Sequence, residues 1–157
     1  MSRYAEGTKV PVEKSQAEIR RIVRRWGACE FALVETDQAA SIQFSFNSRK
    51  IRLGVLLPDF DDYALTHNGT RRRSPESQEK AWDQGCRQRW RALALFVKAN
   101  LEAVEEGVAD IEKVFFPYLV LPNGKTVAET LGGNVYDAID TGHLQLLALA
   151  PPEEAES

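Results

Sequence analysis

The stretch SPESQEKAWDQGCRQRWRALALFVKANLEAVEEG, residues 74–107, predicts one long amphipathic helix that organises the domain. Ser74 suits the N-cap and Pro75 the first helical position. Apolar residues recur every three or four positions, as on a helix face that packs on a core. They are Trp82, Cys86, Trp90, Leu93, Val97, Leu101, Val104 and Val108. Gly85 is the weak point of this pattern, where the helix could break or kink.

An earlier helix is predicted from a capping-box pattern, Ser15-Gln16-Ala17-Glu18, in which hydroxyl and carboxylate satisfy free N–H groups. Gly27 is the expected C-terminal stop after Trp26. The apolar residues of this helix share one face and four arginines cover the rest. Its buried residues would be Ile19, Ile22, Val23 and Trp26.

Three strands follow in the prediction, at residues 29–36, 41–46 and 49–57. Residues 41–46 alternate strictly between polar and apolar, which is typical of a strand with one solvent-facing side. A turn at Asn47-Ser48 makes the last two strands antiparallel. The solvent-facing side of the sheet would carry Gln43, Ser45, Lys50 and Arg52.

The C-terminal part predicts a helical extension made of smaller elements. The whole chain then predicts an α+β fold in which an N-terminal helix and a long central helix pack on an antiparallel three-stranded sheet, in the order α-β-β-β-α. The elements are a helix at 110–116, a strand at 118–121, a capped helix from Thr126 to Gly132-Gly133 and an apolar element at 135–150. The expected organisation is an arm (1–13), one domain (14–150) and an acidic disordered tail (151–157).

Size and composition bound the class of protein. The 157 residues suit one domain, and 43% apolar and 27% charged residues are ordinary for a globular protein. The apolar runs are too short to cross a bilayer, and the first residues lack a signal-peptide core. Cys29 and Cys86 predict small buried side chains in a reducing cytoplasm rather than a disulfide.

Charge is distributed unevenly along the chain, although the net charge is only -3. Residues 1–100 carry 18 basic and 12 acidic side chains, whereas residues 101–157 carry 2 basic and 11 acidic ones. Such asymmetry can mark an anion-binding surface. The alternative is an acidic end that folds back and neutralises the basic part.

No catalytic or metal-binding pattern accompanies these charges. His67 and His143 are far apart and lack neighbours at ligand spacing. The acidic residues at 59–62 lack the glycine and terminal glutamate of a calcium loop, and no nucleotide-binding or nucleophile-elbow motif is present. Cys86 beside two arginines could be a reactive thiol, but its place on the apolar face favours burial. We therefore expect no catalytic residues, metal or cofactor.

Basic residues recur on four predicted elements and are the strongest functional signal. Arginine outnumbers lysine among them, and its planar fork suits bidentate contacts to phosphate. Trp82 and Trp90 could stack on bases, although their place on the apolar face favours core packing. The candidate nucleic-acid-binding residues are Arg20, Arg21, Arg24, Arg25, Lys50, Arg52, Arg71, Arg72, Arg73, Arg87, Arg89 and Arg91.

Five segments resemble an uncharacterised family of small bacteriophage, prophage and mobile-element proteins. They are residues 4–15, 19–28, 87–93, 101–105 and 120–127, and the likeness fades after Gly132. The resemblance implies the cytoplasm of a bacterial host. It also implies either DNA handling in replication or recombination, or the blocking of a host or defence protein. The element order alone is that of double-stranded RNA-binding domains, whose Lys-Lys motif this chain lacks.

We expect a non-catalytic protein that binds DNA or RNA through these arginines. The alternative is an inhibitor or adaptor that binds a host or defence protein through its acidic C-terminal part. The sequence leaves the oligomeric state open, and the arm at residues 1–13 could exchange between protomers.

Overall fold

Four α-helices and a three-stranded sheet make up the part of the chain that the structure, a computed structural model, describes: residue 5, residues 7–36 and residues 39–142. In chain order the elements are helix α1 (Val12–Arg25), strands β1 (Cys29–Glu35), β2 (Ala39–Phe46) and β3 (Arg49–Leu56), and helices α2 (Pro75–Glu105), α3 (Ile111–Phe115) and α4 (Val127–Thr141). The predicted α+β class and α-β-β-β-α order are confirmed. Predictions for the tail at 151–157 and for residues 143–150 lie outside the described residues.

Helix α2 confirms the prediction made from residues 74–107. The Ser74 hydroxyl accepts the Ser77 N–H at its start, and Gly107 follows its end with a φ of +71°, the conformation that terminates helices. The helix continues without interruption through Gly85. The assignment of Val108 to the apolar face is wrong, because this residue lies beyond the helix and is exposed.

The strands pair antiparallel in the order β1-β2-β3, and their bounds agree with the prediction within two residues. Asn47 and Ser48, with φ of 48° and 63°, form the tight turn between β2 and β3. Positive φ at both central residues matches the twist that a two-residue hairpin needs. The sheet therefore has an inner face, which packs on the helices, and an outer face.

The core lies between the inner face of the sheet and helices α1 and α2. Alternate residues of β2 and β3 are buried there, as the period of two requires. The largest buried contributions come from Ile19, Val23, Ile42, Leu53, Trp90, Val97 and Phe115. Burial of this apolar surface is the dominant driving force for the fold.

The start of α1 differs from the prediction. The helix begins at Val12 after Pro11, and no side chain caps it. The proposed capping box is wrong, because Ser15 lies inside the helix and shares a face with Ile19, four residues on. Its hydroxyl is buried and has no hydrogen-bond partner among the described residues. The predicted end is confirmed, since Gly27 has a φ of +89° directly after the Trp26 C-cap.

The C-terminal elements combine a confirmed start with a wrong end. Thr126 and Glu129 form the predicted capping box of α4. The helix does not stop at Gly132-Gly133 but continues to Thr141 and ends at Gly142, with a φ of +69°. Glycine only lowers helix stability by about 1 kcal/mol. Residues 118–121 form isolated bridges to Ile51 and Thr126 rather than the predicted strand.

The two cysteines are free in the structure, but only one is buried. Cys86 lies in the interior, whereas Cys29 is exposed, so the predicted burial of Cys29 is wrong. Burial is the main cause that raises the pKa of the Cys86 thiol, and nearby Asp83 adds to it. This makes Cys86 a poor nucleophile. None of the helices in the described ranges is long and apolar enough to span a membrane.

Candidate nucleic-acid interface

Helix α1 presents a row of four exposed arginines, which we call the α1 arginine row: Arg20, Arg21, Arg24 and Arg25. The buried face of the helix is defined by Ile19 and Val23. With 100° per residue, the four arginines point away from that face, and the row spans about 7.5 Å along the axis. The structure thus brings these predicted residues together on one surface.

Two members of the row have neighbours. The guanidinium of Arg20 lies over the ring of Phe31, 5.7 Å from the centroid, a cation–π contact that holds the side chain beside β1. Arg25 approaches Glu105 of α2 at 3.8 Å, but both side chains are exposed, so this pair is weak. Arg21 and Arg24 make no ion pair with any residue of the described ranges.

The arginines of α2 are more constrained. Arg91 donates to Glu18 of α1 at 2.5 Å, and both side chains are only about one fifth exposed. Arg87 donates to Gln84, whose amide reaches the Thr8 carbonyl. These contacts join α2 to α1 and to the chain before it. Of the three predicted residues on α2, Arg89 is exposed, whereas Arg87 and Arg91 are partly buried.

Lys50 and Arg52 lie on the outer face of the sheet, opposite to the side on which α1 packs. Arg52 pairs in register with Gln43, and Lys50 with Ser45. Arg52 donates to the Gly124 carbonyl at 3.0 Å and to Glu129 at 2.7 Å. The prediction that these residues share a face is confirmed.

Ser45 is the exception on that face. It was predicted to face solvent, but it is buried. Its hydroxyl donates to the Glu30 carboxylate of β1. Glu30 itself has a φ of +53°, at the point where the β1–β2 register shifts. The irregular start of β1 therefore covers Ser45, which no alternation pattern in β2 could indicate.

The three loop arginines also differ in whether they are held by hydrogen bonds within the chain. Arg73 donates to the carbonyl oxygens of Tyr63 and Leu65 and so ties the loop at residues 59–73 to itself, whereas Arg71 and Arg72 are exposed. The twelve predicted residues consequently do not form one surface. They occupy at least two faces, and several of them hold the fold together.

The two candidate stacking residues are not free to stack. Trp90 is in the core, only 1% exposed. The Trp82 indole N–H donates to the Pro58 carbonyl at 2.8 Å, and its ring meets Phe60 edge-on with centroids 6.0 Å apart. Core packing, the alternative interpretation, is what the structure shows for Trp90, and Trp82 is partly covered.

A groove on the outer face was missed by the sequence analysis. It has a volume of about 530 Å³ and lies between the sheet and the first turn of α4. Its lining includes Val34, Gly54 and Leu56 from the sheet and Ala128 from α4. The apolar spacing of α4 could have indicated it, but the glycine pair was interpreted as the helix end.

A second cavity, of about 240 Å³, lies at the hairpin end of the sheet. It is lined by apolar side chains, among them Phe46, Phe115 and Phe116, and its polar lining residues are Arg49 and Glu112, which form an ion pair. Within the described ranges no three His, Cys, Asp or Glu side chains are grouped to hold a metal ion.

Comparison with protein-family models, curated proteins and solved structures finds no match.

Proposed function

We propose that this protein binds nucleic acid without catalysing a reaction, and that the α1 arginine row makes the phosphate contacts. The observation that carries the proposal is the exposure of four guanidiniums on one rigid helix face. Phosphate contacts by arginine give affinity through counterion release and need no particular base sequence. The setting would be replication or recombination of a bacteriophage or mobile element.

Arg21 and Arg24 are the central residues of this proposal. Both are exposed and unpaired in the described part of the chain, so no carboxylate of that part competes with a phosphate for them. Arg20 and Arg25 flank them. Arg20 contacts the Phe31 ring, and Arg25 makes a weak ion pair with Glu105. Four other arginines donate hydrogen bonds within the chain, and we assign them structural roles: Arg52, Arg73, Arg87 and Arg91.

The test measures binding of fluorescent single-stranded DNA, duplex DNA and RNA across a salt series. The variant Arg21→Ala/Arg24→Ala should weaken binding at least about tenfold at low salt. Its log–log salt slope should shrink by about 1.4 to 1.8 units, the loss of two phosphate contacts. Because both residues are exposed, the melting temperature should not change.

The matched control is Lys80→Ala/Lys98→Ala, which removes two exposed positive charges from α2, each of which lies near a glutamate of the same helix. It should lower affinity much less, since net charge alone acts only at long range and is screened. Equal losses in the two variants would contradict a site on α1. Absence of binding by the wild-type protein at low salt would refute nucleic-acid binding itself.

The exposed apolar residues of α4, Val135, Tyr136 and Ile139, favour a second candidate function, the binding of a protein partner. An inhibitor or adaptor of a host or defence complex would use this helix rather than the arginines. Capture of one host protein by both wild type and Arg21→Ala/Arg24→Ala, but not by Ile139→Asp, would support it.

A further inference from the structure

Helix α4 carries an apolar stripe that the described chain does not cover. Ala128, Gly132, Val135 and Ile139 follow the spacing four, three, four and therefore lie on one face. Tyr136 borders this stripe, and Tyr136 and Ile139 are each 70% exposed. In a water-soluble helix such a stripe normally faces a core.

The described residues also leave the outer face of the sheet uncovered next to the start of that helix. Leu56, at the end of β3, is 74% exposed, and Val34 of β1 lies half exposed on the same face. Both line the groove of about 530 Å³, together with Ala128. Since Ala128 belongs to the stripe and to the groove, the two apolar surfaces are continuous and form an open corner.

Charges at the corner are complementary between its two sides. The outer face of the sheet carries Arg52, which lines the groove and pairs with Glu129, and Lys50, which lies two residues before it on β3 outside the lining and has no ion-pair partner in the described ranges. The ionisable groups of α4 other than its tyrosine are all acidic: Glu129, Asp137 and Asp140. An object that fits the corner therefore has an apolar face and acidic flanks, which is the chemistry of α4 itself.

The α4 of the same chain cannot occupy this position. Its first turn is held by the capping box and by the Glu129–Arg52 pair. Beyond Leu131, its residues Val135, Tyr136 and Ile139 are exposed and do not line the groove. The α4 of another molecule meets no such restraint.

We propose that the occupant is a second copy of this chain, with α4 of each protomer lying in the groove of the other. The exchange uses the same two surfaces twice, so a twofold axis closes the assembly without a leftover apolar edge. Asp137 or Asp140 of the incoming helix meets Lys50. The dimer goes beyond the proposed nucleic-acid binding and places two α1 arginine rows on one particle, which raises avidity.

Sedimentation equilibrium of the full chain tests the proposal. We expect a particle of twice the 17.6 kDa of one chain. Ile139→Asp on α4 and Leu56→Asp on the sheet should each shift the dissociation constant upward at least about a hundredfold. Both positions are exposed in one protomer, so circular dichroism should show a folded chain. Val108→Asp is the matched control, at an 82% exposed valine outside the corner, and it should remain dimeric.

Mixing distinguishes the exchange from other dimers. A protomer with Leu56→Asp still offers an intact α4, and one with Ile139→Asp still offers an intact groove. Their mixture should therefore form heterodimers through one complete contact, detectable by a tag on either chain. If α4 paired with α4 of the partner, Leu56→Asp would have no effect and mixing would restore nothing, which would overturn the proposal.

Two further results would also overturn it. The first is a monomer at all concentrations up to about 100 μM. The second is a change of oligomeric state on replacing Leu144, Leu146, Leu147 and Leu149 by serine in the full chain. That result would show that residues 143–150 decide the assembly, whereas the proposal, in which α4 and the groove suffice, expects the dimer to persist.

Discussion

Helices α2 and α4 begin alike and end in different surroundings. Ser74 and Thr126 cap their first turns with a hydroxyl, and each helix has glycine in its interior. A Cβ on Gly85 would come within 2.1 Å of the Tyr63 hydroxyl, whereas a Cβ on Gly133 would meet no described atom within 4 Å. Tertiary packing therefore constrains α2 at Gly85, and nothing in the described part of the chain constrains α4 in this way at Gly133.

The largest expected effect comes from the buried side of this comparison. Trp90→Ala should lower the free energy of unfolding by about 3–5 kcal/mol, because it empties a core position that is only 1% exposed. Tyr136→Ala on α4 should change it by less than about 0.5 kcal/mol. Urea titration measures the two values. Each change is made separately in the Leu56→Asp background, which removes the proposed dimer. Similar losses for both would mean that α4 is packed as tightly as α2.

A medium effect is expected at the glycines. Gly85→Ala should cost about 1–3 kcal/mol, because the new methyl group overlaps the Tyr63 ring. Gly133→Ala should stabilise the protein by up to about 1 kcal/mol through helix propensity. Thermal and urea unfolding of both variants give the comparison.

The cause can be separated by a double-mutant cycle. In a Tyr63→Ala background the cost of Gly85→Ala should fall, since the hydroxyl and ring atoms that the methyl group meets are gone. An unchanged cost would locate the problem in the helix backbone or at Pro58 rather than at Tyr63.

The smallest effect concerns the cap of α4. The pKa of Glu129 is lowered, first by the backbone hydrogen bond from Thr126 and also by Arg52. The ordinary pKa of this carboxyl is 4.5, and its pKa in the folded state is lower. The ionised carboxylate therefore stabilises the native state at pH values above 4.5. This stabilisation is lost as the pH falls through the lower, folded-state value.

Glu129→Gln should therefore remove a pH-dependent contribution to stability. The variant should be less stable than wild type at pH 7, by no more than about 1 kcal/mol. The difference should shrink as the pH falls below 4.5 and through the folded-state pKa of Glu129. Urea midpoints of the two proteins at pH 7 and at a series of lower pH values measure it, and a difference that does not change with pH would exclude the ionised carboxylate as its source.

Local patterns predicted much of the fold. The periodicity and caps of residues 74–107 located α2, and strict alternation at 41–46 located β2. They failed at Ser15, where a cap pattern lies inside the helix, and at Gly132-Gly133, where two glycines do not end it. Capping and termination signals are weak energies of about 1 kcal/mol, and neighbouring apolar residues can outweigh them.

The candidate site was predicted in composition but not in arrangement. The α1 arginine row follows from one helix and its period, so Arg20, Arg21, Arg24 and Arg25 could be grouped from sequence alone. The binding of nucleic acid and the resemblance to bacteriophage proteins stay predictions. The outer-face groove could not be found, because it joins β1, β3 and α4, and no local pattern specifies that meeting.

The sequence by itself determined the elements, their order and which side of each element is apolar, because these depend on residue spacing along the chain. Only the tertiary structure decided which charges remain free. Arg91 meets Glu18 across 73 positions and Arg52 meets Glu129 across 77, while Arg21 and Arg24 have no ion-pair partner among the described residues. Ion pairing depends on distance in space, and packing of the elements sets that distance.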